Sequence, residues 1–292
     1  MKIVSFNEGQ SGNEWLEWRK NGIGASDIAV IMGSNPHMTP YALWEEKCGF
    51  GKKKELTNPM KHGIANEEKA RKWVNKNALL NLKPLCVEDT KNPFFRASLD
   101  GYDIDKEFLV EIKCPVNEEV LHNAREKQSV PLYWQHQIQW QIMLANPKRA
   151  QLAIWDYRYA SCMMIEMFAQ PSLQEEMIIK ATEFWRQVQM GIAPKISEKD
   201  YVELDDPSLK ELLSEYDDHD KVAKLAELRK KELKKEILKF GDGNNFRAFN
   251  HSVTFCSGRL GYDIEQMKMD GIDVEKYVKK SSNGFYRISS KG

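Results

Sequence analysis

Two acids and a lysine stand in a spacing that suits phosphate chemistry: Ser98-Leu99-Asp100-Gly101 is followed by Val110-Glu111-Ile112-Lys113. On a strand, side chains alternate between faces, so Glu111 and Lys113 share one side while Ile112 turns into the core. A hairpin that returns this strand beside Asp100 brings two carboxylates and an ammonium to one point. With the carbonyl oxygen of Ile112, Asp100 and Glu111 supply the hard oxygen ligands that Mg²⁺ prefers, and Mn²⁺ is expected to substitute. Beside such a cation, Lys113 would ease deprotonation of an attacking water or orient it. The spacing alone is unspecific, because charged residues recur on any solvent-facing strand. What a solvated strand does not explain is the apolar run Phe108-Leu109-Val110 leading into the charges and Pro115 ending them.

Further polar groups cluster in two places. Gly63-Ile64-Ala65-Asn66-Glu67 offers a third carboxylate on a helix able to lean over the hairpin, although an ordinary acidic helix surface has the same appearance. In Tyr133-Trp134-Gln135-His136-Gln137-Ile138-Gln139-Trp140-Gln141, the amides of Gln137 and Gln141 lie four apart on one helical face and Gln139 points elsewhere. Amides beside a metal bind phosphate or hold water without adding charge, and aromatics such as Tyr133 and Trp134 stack on bases. An aromatic core helix with polar edges is the plain alternative, and His136 reads as packed or solvent-facing rather than as a ligand.

Several elements must position these groups. Glu14 to Lys20 reads as a helix, Asn21 to Ala25 as a glycine-rich turn, and Ser26-Asp27 as the cap of a helix beginning at Ile28. Thr39-Pro40 caps the next helix, and another runs from Met60 to Asn77. Short strand-like runs follow at Cys86–Asp89, Phe94–Leu99 and Phe108–Lys113, with Asp100-Gly101 and Asp105-Lys106 as expected hairpin corners. Pro131 to Leu144 reads as a helix, Gln151–Tyr157 and Cys162–Phe168 as strands, and Ser172 to Met190 as an amphipathic helix. The expected fold is α/β (α+β), a central mixed sheet flanked by helices over residues 1–194, with a helical and short-strand extension over 195–292. In that extension Glu203 to Asp220 holds eight acids and one lysine, whereas Lys221 to Phe240 holds eight bases and three acids. Val222, Leu225, Ala226, Leu233, Ile237 and Phe240 share one face of that helix, which reads as a solvated helix packed along a stripe. Ser252–Phe255 and Gly284–Ile288 are strand-like.

Composition limits the function classes. Lys plus Arg and Asp plus Glu are both 43, so net charge is zero and attraction to a polyanion must be local. No apolar stretch approaches the roughly 20 residues that cross a bilayer. The five cysteines are far apart, against zinc ribbons and iron–sulfur sites, and are expected as free thiols. The N-terminus has no signal-peptide pattern, so a reducing cytoplasm is the expected location.

In order, Trp15-x-x-Trp18-Arg19, Gly22-Ile23-Gly24-Ala25-Ser26-Asp27, Gly63-x-x-x-Glu67, Ser98-x-Asp100-Gly101, Glu111-x-Lys113 and Gln137-x-Gln139 resemble the YqaJ family of viral recombinase nucleases. That family is similar to phage lambda exonuclease, within the PD-(D/E)xK superfamily, and the likeness spans about residues 10 to 190. It implies a restriction-endonuclease-like core. Asp100 and Glu111 match its metal-binding acids, Lys113 its catalytic lysine, Glu67 a helix glutamate holding a second metal, and Gln137 a catalytic glutamine. Arg19 and Ser26 match the receptor of the 5′ phosphate, and Tyr133 and Trp134 compete for one DNA-facing aromatic position. The implied activity is Mg²⁺-dependent 5′-to-3′ digestion of linear duplex DNA with two metals per site, leaving 3′ overhangs for a single-strand annealing protein, in host-cell cytoplasm if phage-encoded. A ring-shaped homo-oligomer, trimer or tetramer, would hold DNA that a neutral monomer holds poorly. Two other classes stay open: a structure-specific or restriction-like endonuclease of the same superfamily, and a non-catalytic DNA-binding assembly module.

Overall fold

The apolar run ending in Glu111 and Lys113 lies at the centre of a six-stranded sheet. The computed structural model describes residues 1–51, 56–256 and 263–273. In chain order its first elements are β1 (Lys2–Val4), α1 (Asn13–Lys20), α2 (Ala25–Ile31), α3 (Pro40–Cys48), α4 (Asn58–Ala78), β2 (Lys83–Glu88), β3 (Arg96–Asp103) and β4 (Phe108–Lys113). There follow α5 (Glu118–Lys127), α6 (Leu132–Ala145), β5 (Arg149–Asp156), β6 (Ser161–Met167) and α7 (Pro171–Met190). The strands lie in sequence order. In this sheet only β4 and β5 run parallel, because the α5–α6 crossover returns the chain to the end of the sheet at which β4 began, while every other neighbouring pair is antiparallel. The mixed sheet flanked by helices is the architecture expected.

The two faces of the sheet bury different sets. Leu99, Leu109 and Leu152 pack with Ile23, Ile28, Ile138 and Trp140. Val110, Ile112, Ala153 and Trp155 pack with Ala70 and Val74 of α4. Alternation along β4 thus sends Ile112 into the α4 side, as its period-two pattern requires.

Several local expectations are corrected. Asp100-Gly101 is not a hairpin corner but lies inside β3, and the chain turns at residues 104–107 instead. Asp103 makes that corner: its carboxylate accepts from the main-chain N–H groups of Asp105, Lys106 and Asn81. Ser26 is not a cap. Gly24 occupies that position, α2 begins at Ala25, and Asp27 accepts from Gly24 N at 2.8 Å. α4 starts earlier than expected, with Thr57 as cap and Pro59 in its first turn. β1 and α5 were not legible; α5 is capped by Asn117.

The described residues from Val202 onward form a second compact unit. It holds α8 (Pro207–Gly241), the hairpin of β7 (Phe246–Ala248) and β8 (His251–Val253), and α9 (Ile264–Met269). β8 covers part of the strand expected at Ser252–Phe255; the strand expected at Gly284–Ile288 lies outside the described residues. All five cysteines are free thiols. Among the described residues, no helix is long and apolar enough to cross a membrane.

Candidate active site

β3 and β4 pair from Asp103↔Phe108 to Gly101↔Val110, and beyond that point the ladder between them stops. Asp100 stands at the fork, where its Oδ2 accepts from Ile112 N at 2.9 Å in place of a main-chain carbonyl. The other edge of β3 is irregular at the same place. Lys83 opposes Tyr102 but Leu85 opposes Leu99, so β3 carries one extra residue there, a bulge that re-aims the side chains around Asp100. Gly101 fits this crowded point, since a Cβ would lie 3.1 Å from Leu82 Cβ.

Glu111 is 1% exposed and its carboxylate is fully dressed. Oε1 accepts from Lys113 Nζ at 2.7 Å and Gln137 Nε2 at 2.5 Å, and Oε2 from Gln141 Nε2 at 2.7 Å. Lys113 Nζ also donates to Gln137 Oε1 at 2.8 Å. Such charge-assisted bonds fix the rotamers of all four groups. Burial works to lower the Lys113 pKa, yet the charges of Glu111 and Asp100 outweigh it and hold the ammonium above its ordinary value. Lys113 is therefore a cation at neutral pH. Asp100 is pushed well above the usual carboxylate range by removal from water and then by the charge of Glu111, with Glu67 adding to it. Burial, opposed by Arg71 and reinforced by Glu111, also raises Glu67.

Glu67 reaches the cluster from α4, held by Arg71 Nη2 on its Oε1 at 2.5 Å, while Arg71 Nε donates to Asp100 O at 2.7 Å. A cleft of 420 Å³, lined by Phe6, Gln10, Glu67, Leu85 and Cys86 among others, opens beside Glu67.

The donor set suits a hard divalent cation: the charge of Glu111 raises the proton affinity of both Asp100 and Glu67, a repulsion that a cation would relieve. Gln141 Oε1, buried next to Glu111 and without a hydrogen-bond partner, is an open acceptor suited to a hydrating water. Among the described residues no three side chains stand as a ready ligand set, and both oxygens of Glu111 are engaged by Lys113, Gln137 and Gln141. Ligation would use Asp100, Glu111, Glu67 and the Ile112 carbonyl after rearrangement of the bonds to Glu111.

Arg19 and Ser26 meet at the surface, Nη2 donating to Oγ at 3.0 Å. Arg19 lies over the Trp15 ring at 4.8 Å, and Trp15 Nε1 donates to Ser98 Oγ at 2.9 Å, two residues from Asp100. Beneath them Lys47 Nζ pairs with Asp27 Oδ2 at 2.6 Å and donates to Arg19 O at 2.8 Å, with both side chains under a tenth exposed. This buried pair braces the end of α1 against α2 and α3. Of the two competing aromatics, Trp134 is buried with its ring 6.0 Å from Lys113 Nζ, whereas Tyr133 is half-buried. His136 packs against Ser34 Oγ at 2.7 Å, and Gln139 serves Phe168 O and Gln170 N, away from the acids.

Sequence reasoning gave no role to Arg71 or Lys47. Arg71 had a faint signal, four residues after Glu67; Lys47 had none, since its partners come from other helices.

Residues 14–148, which include every site residue named, match the YqaJ-like viral recombinase domain, as the motif order led us to expect. A stretch of 48 residues is 42% identical to the uncharacterized protein YqaJ of Bacillus subtilis (strain 168), covering 16% of this chain and 15% of that protein. The chain thus matches only a small part of that relative's length. The alkaline exonuclease LHK-Exo of Laribacter hongkongensis is 20% identical with a TM-score of 0.52, over 62% of this chain and 94% of that one. Its complex with dAMP gives 19% and 0.50 over the same shares. These likenesses establish a shared fold.

Proposed function

We propose that residues 1–194 are a Mg²⁺-dependent exonuclease that removes nucleotides from the 5′ strand of linear duplex DNA. The observation that carries this reading is the convergence of Asp100, Glu111 and Lys113 where β3 and β4 part, with Glu67 alongside. When bound, two Mg²⁺ ions would activate the attacking water and offset charge on the leaving 3′ oxygen. Lys113, bonded to Glu111 and Gln137, would orient the water and offset charge on the phosphoryl oxygens. Gln137, already bonded to Lys113 and Glu111, keeps both from swinging away. Water attacks phosphorus, the bond to the 3′ oxygen breaks, and the shortened strand again ends in a 5′ phosphate. Arg19 and Ser26 would receive that phosphate, with Trp15 tying their pocket to the strand of Asp100.

A phosphate receptor has use only at an end, which favours an exonuclease over an endonuclease. The test is digestion of end-labelled linear duplex beside covalently closed circular duplex, with Mg²⁺ and with EDTA. Metal-dependent release of mononucleotides from the linear substrate alone is expected; cutting of circles would favour the endonuclease, and no release at all a binding module. The remaining parts of the reading are a closed ring of three or four copies, readable by mass in solution, action in the cytoplasm, that of the host cell if the chain is phage-encoded, and an annealing partner for the 3′ overhang.

A further inference from the structure

Arg71 is 11% exposed, yet its guanidinium serves three acceptors on two elements. Nε donates to the main-chain oxygen of Asp100 on β3, Nη2 to Glu67 Oε1, and Nη1 to Glu68 on the outer side of α4. A guanidinium holds its donors in one rigid plane, so fixing Nε on β3 also fixes where Nη2 presents its proton. Glu67 contributes to the acid cluster from a helix, whereas Asp100 and Glu111 are held by strands. It is the one of the three whose position depends on a contact between α4 and the sheet.

We infer that Arg71 is a positioning residue for the cation held by Glu67. By clamping Oε1 to the strand that carries Asp100, it leaves Oε2 as the oxygen presented to the metal and sets the separation between helix and strand acids. This rests on the two-metal reading above. Two simpler roles predict otherwise. An arginine that only competes with metal for Glu67 would weaken cation binding, so its loss would tighten it. An arginine that only joins α4 to the sheet would change melting and leave cation binding alone.

Mn²⁺ titration followed by the paramagnetic resonance of the free ion, on the full chain without DNA, separates these. Wild type should bind two ions per chain, and Glu67→Gln should lose the weaker. Arg71→Lys, which keeps the charge but not the rigid fork, and Arg71→Gln should each weaken that site at least tenfold and leave the tighter one within twofold. Glu67→Gln combined with Arg71→Lys should be no worse than Glu67→Gln alone, since both act on one site. Melting in EDTA establishes that each variant is folded. An unchanged or tighter weak site in both Arg71 variants, or equal weakening of both sites, overturns the inference. If Glu67→Gln itself leaves two sites intact, the two-metal reading falls and this inference with it.

Discussion

Replacing Asp100 by asparagine should make the metal-free protein more stable while abolishing its activity. Asp100 places a third carboxyl group beside Glu111 and Glu67, and loss of hydration and then the charge of Glu111 push its pKa well above the usual range. A carboxyl with a raised folded pKa holds its proton more tightly in the native state than in the unfolded chain. Stability is therefore lost as pH rises from the unfolded pKa to the folded one, and the whole cost is present above the latter. Asparagine keeps the shape and an oxygen to accept from Ile112 N, the 2.9 Å bond that joins β4 to the fork. Relief of strain of this kind at an active site is worth about 1 kcal/mol. For a cooperative unit of this size that is a rise of about 2–4 °C in melting temperature. Mg²⁺ at a hundred times its dissociation constant should stabilise wild type by about 2.7 kcal/mol. Most of that gain should vanish in Asp100→Asn, and digestion of labelled duplex should fall by at least about a hundredfold. Differential scanning fluorimetry with EDTA and with Mg²⁺, beside the digestion assay, reads all three quantities. A variant that melts below wild type in EDTA, or keeps the full Mg²⁺ gain, would refute the account of Asp100 as a crowded ligand.

Other expectations follow from single contacts. Arg19→Ala should erase the preference for 5′-phosphorylated over 5′-hydroxyl ends; equal slowing of both substrates would remove Arg19 from the phosphate pocket. Gln141→Leu leaves a buried oxygen of Glu111 without its donor, so chemical denaturation should show a loss of about 1–3 kcal/mol, where an unchanged midpoint would contradict the geometry. Asp103 has its pKa lowered by main-chain N–H donors, Asn81 first. Its contribution is present above the unfolded pKa and lost as pH falls through the folded one, so Asp103→Asn should lower stability at pH 7 and flatten the loss below about pH 4; parallel pH–stability curves for the two proteins would contradict this.

Local chemistry in the chain determines much of this protein. The apolar run into Glu111-x-Lys113 specifies a buried strand whose charges share a face, because a strand's side chains alternate whatever surrounds it. Thr39-Pro40 specifies a helix start for the same reason: cap and proline act within one turn. The four-residue spacing of Gln137 and Gln141 puts both amides on one face of α6, and both do reach Glu111. The motif order pointed to a family likeness that residues 14–148 bear out. Tertiary structure alone decided the rest. Asp100-Gly101 has the composition of a turn, but pairing with β2 and β4 outweighs that preference and makes it a bulge at a fork. Arg71 and Lys47 look like surface cations along their helices, and only the approach of β3 to α4, and of α1 and α2 to α3, turns them into clamps between elements. Periodicity records which face a side chain takes. What stands opposite that face comes from segments distant in sequence, and no spacing within one element encodes it.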